Sequence, residues 1–135
     1  MDHVRNPRGK GDLPSPSAVA AVVNPLCGDK ISISIRNHGS IVDAIMYTGS
    51  GCSISQASAS MLAACCTGKT SAEVSALCKL FKKMMSNQAK GADVEVLGDA
   101  VALEGIKNFP ARLRCALLAW EGLEQCLTKI GQDTK

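Results

Sequence analysis

The chain has 135 residues, 46% of them hydrophobic and 20% charged, which favours one soluble globular domain spanning 1–135. The net charge of +3 comes without a long basic run, and the 3% aromatic content leaves no stacking platform, so neither nucleic-acid binding nor membrane insertion is expected. The N-terminal residues Met1 to Pro7 hold no apolar stretch of the kind a secretory signal needs. Seven cysteines, an odd number, fit a cytoplasmic setting with free or metal-bound thiols better than a disulfide framework.

In chain order, Asp2 to Lys10 reads as a helix end running into a turn, since Pro7 stops a helix and Gly9 and Gly11 open the chain. Asp12 to Ser17 is a Pro/Ser loop. Ala18 to Val23 is wholly apolar and predicts a buried strand. Ile31, Ile33 and Ile35 alternate with Ser32, Ser34 and Arg36, as in a half-buried strand. Asn37-His38-Gly39 is read as a hairpin turn, and Ile41 to Thr48 as the third strand of an antiparallel meander.

Helices then take over. Ser55 to Thr67 is rich in Ala, Met and Leu, and Gly68 suits the position just past a helix end. Thr70-Ser71-Ala72-Glu73 fits a capping box that opens a helix with Val74, Leu77, Cys78, Phe81 and Met85 on one face. Asn87 to Gly98 is polar and Gly-containing, and Asp99 to Lys107 predicts a short helix. Leu113, Ala116, Leu117, Trp120, Leu123 and Leu127 mark the apolar face of a last amphipathic helix. The fold class expected is α+β, a three-stranded antiparallel sheet packed against several helices.

Three stretches carry the chemistry. They are Asn24-Pro25-Leu26-Cys27-Gly28-Asp29, Gly49-Ser50-Gly51-Cys52-Ser53-Ile54-Ser55 and Phe109-Pro110-Ala111-Arg112-Leu113-Arg114-Cys115. Each puts a cysteine where a loop meets a regular element, and Asp29 adds a carboxylate. Three thiols and one carboxylate are donors of the kind that hold zinc or iron. Cys52 is expected near a helix start, where unpaired N–H groups and the helix dipole favour negative charge. Spacing alone does not specify a metal site, because no Cys-x-x-Cys pair is present.

Together the three stretches resemble the SufU branch of the NifU/IscU-like iron–sulfur assembly proteins, from Asp2 to about Leu123. The resemblance implies an IscU/NifU-like fold and casts Cys27, Asp29, Cys52 and Cys115 as metal ligands, with Cys27 as sulfur acceptor. It implies Zn²⁺ as the cofactor, or alternatively a [2Fe–2S] cluster assembled on the same ligands. It further implies a PLP-dependent cysteine desulfurase as partner and a downstream cluster scaffold or recipient. Arg114 stands where the IscU scaffolds carry a histidine, and the 63 positions from Cys52 to Cys115 (115 − 52) match the longer SufU type. Lys30, Arg112 and Arg114 could offset the negative charge of such a site, or could be an ordinary solvated face. A third reading is a purely structural zinc module.

The remaining cysteines, Cys65, Cys66, Cys78 and Cys126, fall among apolar neighbours and read as small buried hydrophobes, with redox reactivity or a second metal as the alternative. His3 and His38 are isolated. Gly68-Lys69-Thr70 ends like a phosphate-binding loop, but a helix precedes it where that loop requires a strand.

Overall fold

The computed structural model describes residues 9–11, 13–24, 28–89 and 91–133. The element order is β1 (Ala18–Asn24), β2 (Asp29–His38), β3 (Ile41–Ser50), α1 (Ser53–Cys66), β4 (Lys69–Thr70) and α2 (Ser71–Met85). A 3₁₀ segment (Gly91–Asn108) and α3 (Pro110–Asp133) complete the chain. Of the helix end expected at Asp2–Lys10, residues 2–8, His3 among them, lie outside the described residues. Lys10 forms a parallel bridge with Tyr47 on β3.

The sheet is antiparallel in the order β1-β2-β3-β4, one strand more than the sequence suggested. The added strand, β4, is two residues long and pairs Lys69 with Val42 and Thr70 with Ile41. Its cause lies at the end of α1. Gly68 takes φ +88°, which turns the chain back so that its N–H donates to Val42 O at 2.7 Å. The phosphate-loop reading is thereby excluded, since Lys69 and Thr70 are strand residues following a helix.

Alternation sets the core face. Ile31, Ile33 and Ile35 are all fully buried. β1 differs from expectation: it alternates buried and exposed positions instead of being buried throughout, with Val19 41% and Val23 59% exposed. The helix that covers it lies on one face only. Gly122 of α3 sits so close to that face that an added Cβ would lie 3.0 Å from Ile33 Cγ1 and 3.4 Å from Val22 Cγ2. The β2–β3 turn falls at Gly39-Ser40, between paired His38 and Ile41, because Gly39 supplies the positive φ of +62°. His38 is exposed there.

The helices lock together around Trp120. Its ring stacks on Phe81 of α2 with centroids 4.3 Å apart and planes 6° apart. Its Nε1–H donates to Ser58 Oγ of α1 at 3.1 Å, and the Ser58 hydroxyl donates to Ala116 O at 2.6 Å. A buried serine is thus satisfied by α3 rather than by its own helix. The capping box opens α2 as expected: Thr70 Oγ1 accepts from Glu73 N–H and Glu73 Oε1 accepts from Thr70 N–H. The short helix expected over Asp99 to Lys107 is the second half of a longer 3₁₀ segment broken at Gly98, whose first half runs through a stretch read as polar. Val94, Leu97, Ala100 and Leu103 bury that segment against the helices. No helix among the described residues is long and apolar enough to cross a membrane.

Candidate metal centre

The core face of the sheet ends in polar groups. On β1 the inward positions run Ala18, Ala20, Val22, Asn24, and on β2 they run Ile35, Ile33, Ile31, Asp29. Asn24 and Asp29 are register partners, 2% and 1% exposed. Parity therefore forces the Asp29 carboxylate inward and the Lys30 side chain outward, where it is exposed.

A buried carboxylate needs partners. Cys52 N–H donates to Asp29 Oδ1 at 2.8 Å, and Cys52 Sγ lies 3.9 Å from Asp29 Oδ2. Cys52 is the residue that precedes the first turn of α1, yet its side chain makes no capping bond to the helix. The sulfur is left facing the carboxylate, and Ser55 closes the turn by donating its hydroxyl to Cys52 O at 2.9 Å. Gly51 makes this approach possible. It has φ +138°, and an added Cβ would stand 2.2 Å from Asp29 Oδ1.

Cys115 arrives from α3. It is fully buried on the same stripe of the helix as Ala119, Gly122 and Cys126, the stripe pressed on the sheet. Cys126 Sγ sits 3.4 Å from Ile33 O further along that stripe. Asn24 Nδ2 donates to Cys115 Sγ at 3.6 Å. One donor atom each from Asp29, Cys52 and Cys115 lies within 4.8 Å of the others. Ligands of a tetrahedral zinc stand roughly 3.3–3.8 Å apart, given bonds of about 2.0–2.3 Å. The three groups therefore need only contract slightly to share an ion. Their chemistry fits as well, because two thiolates and a carboxylate held this close, Asp29 and Cys115 buried and Cys52 half-buried, would repel without a cation between them.

Of the sequence-expected ligands, Asp29, Cys52 and Cys115 come together. Cys27 lies outside the described residues, in the β1–β2 connection whose ends are Asp29 of the cluster and Asn24, which bonds Cys115. Gly28 N–H donates back to Asn24 O at 2.9 Å across that connection. Lys30, Arg112 and Arg114 all have exposed side chains. Sequence reasoning gave no role to Asn24, Ser55 or Gly51 individually. The available signal for Asn24 was an amide at an inward position where alternation calls for an apolar residue.

A small α+β domain with a buried Asp/Cys/Cys cluster at one end of its sheet is the class that fold and site define. The chain belongs to the NifU-like N-terminal domain family, which it matches over residues 1–116. It is 42% identical over 129 residues to the zinc-dependent sulfurtransferase SufU of Bacillus subtilis, covering 96% of this chain and 86% of that protein. It is 37% identical over 128 residues to the iron–sulfur cluster assembly scaffold protein IscU of Streptococcus pyogenes, covering 95% and 79%. Among solved structures, the N-terminal part of a NifU-like protein from Brucella abortus superposes with a TM-score of 0.86 at 24% identity, covering 98% of this chain and 91% of that one, and shows the same fold. A candidate SUF-system scaffold from Fervidobacterium islandicum gives 0.84 at 30% identity, covering 94% and 92%.

Proposed function

We propose that this protein is a zinc-dependent sulfur acceptor in iron–sulfur cluster biogenesis, a cytoplasmic protein acting as one domain over 1–135. It takes persulfide sulfur from a PLP-dependent cysteine desulfurase and passes it to a cluster scaffold or other recipient. The observation that carries this reading is the buried Asp29 carboxylate sharing one cluster with Cys52 and Cys115. Cys27 completes the ligand set. It stands two residues before Asp29, so their Cα atoms are within roughly 7.6 Å. The similarity to a zinc-dependent sulfurtransferase supports the choice of metal.

Zinc, when bound, keeps the ligating thiols deprotonated and balances the Asp29 carboxylate. The chain's own groups do the positioning. Cys52 N–H fixes one Asp29 oxygen and turns the other toward the Cys52 sulfur, while the Asn24 amide donates to the Cys115 sulfur and orients it. Cys27 acts as a thiolate on the terminal sulfur of the desulfurase persulfide. A new S–S bond forms on Cys27, the old S–S bond breaks, and the desulfurase cysteine leaves as thiolate. The PLP stays with the partner. The exposed Lys30, Arg112 and Arg114 flank the ligands in sequence and offer cationic contacts to that partner.

The same ligands suit a [2Fe–2S] scaffold, and relatives named as scaffolds keep that reading in view. Arg114 in place of a histidine before Cys115 favours the sulfur acceptor. Metal analysis of anaerobically purified protein separates the two: colourless protein with one zinc supports the acceptor, and brown protein with stoichiometric iron and sulfide overturns it. Asp29→Ala made with added iron is expected to stay colourless. With a cognate desulfurase under reducing conditions, the parent protein raises cysteine turnover and Cys27→Ser abolishes that stimulation. Undiminished stimulation by Cys27→Ser removes Cys27 from the role. Chelation is expected to lower the melting temperature. That response should vanish in Cys52→Ala and persist in Cys78→Ala, whose thiol is buried on α2.

A further inference from the structure

The far end of α1 carries a second group of thiols. Cys65 and Cys66 are its last residues, about 20 Å from Cys52 along the helix at 1.5 Å per residue (65 − 52 = 13). The two differ sharply in setting. Cys66 is fully buried, whereas Cys65 is only half-buried. Cys65 opens on a cavity of about 310 Å³ between α1 and the 3₁₀ segment, lined also by Met61, Lys69, Val96 and Leu97. Its Sγ lies 3.8 Å from Val96 O. Lys69, in β4, brings an ammonium to the same cavity.

We propose that Cys65 is a second reactive thiol, which forms a mixed disulfide with a small anionic disulfide entering this cavity. The attacking species is the Cys65 thiolate. Its sulfur bonds to one sulfur of the incoming disulfide, the original S–S bond breaks, and the other half leaves as a thiolate. Three features make the site. The cavity admits a small molecule, Lys69 on its wall favours an anionic one, and Cys65 is left accessible there while Cys66 beside it is buried. The hydrogen bond from Cys66 is the main influence lowering the Cys65 pKa, with Lys69 adding to it and burial opposing. Cys66 is driven the other way, by that same bond, by burial and by the charges of Cys65 and Cys78, so it stays a thiol. The other two cysteines away from the metal cluster are unreactive by burial: Cys78 is pushed up to about 12 and Cys126 to about 11.

The test uses the full chain, zinc-loaded and freshly reduced, exposed to glutathione disulfide at neutral pH and mapped by peptide mass spectrometry. Among Cys65, Cys66, Cys78 and Cys126, the glutathionyl adduct is expected first on Cys65, and Cys65→Ser removes it. Lys69→Ala is expected to slow the reaction about threefold with anionic glutathione disulfide and little with cationic cystamine. First modification at Cys66, Cys78 or Cys126 overturns the proposal. So does a Cys65 rate no faster than that of the same residue in denaturant-unfolded protein, or an equal Lys69→Ala effect on both disulfides.

Discussion

The two ends of α1 each present a cysteine to a small group of polar atoms, and they balance charge in opposite ways. At the start, Cys52 meets the Asp29 carboxylate and Cys115, an arrangement of donors that could hold a cation. At the finish, Cys65 shares a cavity wall with Lys69, so the nearest charge there is a cation of the chain itself. The two ends are also anchored differently. The start is held by a tertiary bond from Cys52 N–H to a strand residue 23 positions away. The finish adds a local bond, Thr67 Oγ1 donating to Ala63 O at 2.6 Å, to the backbone pairing of Gly68 and β4 with β3. The same kind of side chain is thus proposed as a metal ligand beside a carboxylate and as a free nucleophile beside an ammonium.

The strongest way to break this contrast is Gly51→Ala. The new Cβ would fall 2.2 Å from Asp29 Oδ1 at a backbone φ of +138°, so strain and clash add. A loss of about 3 kcal/mol in unfolding free energy is expected, together with loss of zinc. Denaturant titration with and without chelator measures both, and a stable zinc-binding Gly51→Ala would show that the close approach is not needed.

A gentler probe is Asn24→Ala, which removes the amide bond to Cys115 without touching a ligand. Zinc affinity is expected to fall about 10- to 100-fold, while the reactivity of Cys65 is unchanged. Competition with a zinc chelator reads the first and peptide mapping the second. Equal effects at both ends would mean that α1 couples them.

The smallest effect lies just past the finish of α1. Thr70→Ala deletes half of the capping box and should cost about 1 kcal/mol with no change in zinc binding. Glu73 is held below the usual carboxylate range, chiefly by the Thr70 N–H bond and then by the Thr70 hydroxyl. Its contribution is therefore present above the ordinary carboxylate range and lost as pH falls through the lowered one. The Thr70→Ala deficit should shrink accordingly in acid-titrated melting curves.

Much of the fold was legible because patterns of period 2 and 3.6 are local. Ile31, Ile33 and Ile35 declared β2, and Thr70 with Glu73 declared the start of α2. β4 was not legible, because two residues carry no period and their pairing follows from the direction in which Gly68 sends the chain. The outward faces of Val19 and Val23 were missed because an all-apolar run carries no alternation to show which face is covered. In the 3₁₀ segment, Val94, Leu97, Ala100 and Leu103 bury one side at a spacing near three, which a search at 3.6 blurs. For the site, spacing could not bring Asp29, Cys52 and Cys115 together. Their proximity depends on strand parity at Asp29, on the turn at Gly51 and on how closely α3 lies on the sheet. Only the resemblance to a family joined them in advance.

The position of Cys115 is set largely from a distance. Gly122 lies seven residues beyond it, about two turns along α3, and there the helix rests almost directly on Ile33 and Val22. A side chain at 122 would act as a shim, lifting one end of a stiff rod and withdrawing the sulfur at the other from its two companions. The spacing of the three candidate ligands is thus adjustable from a place that holds no donor atom. A variant there would present as a metal-binding defect while every ligand remained intact.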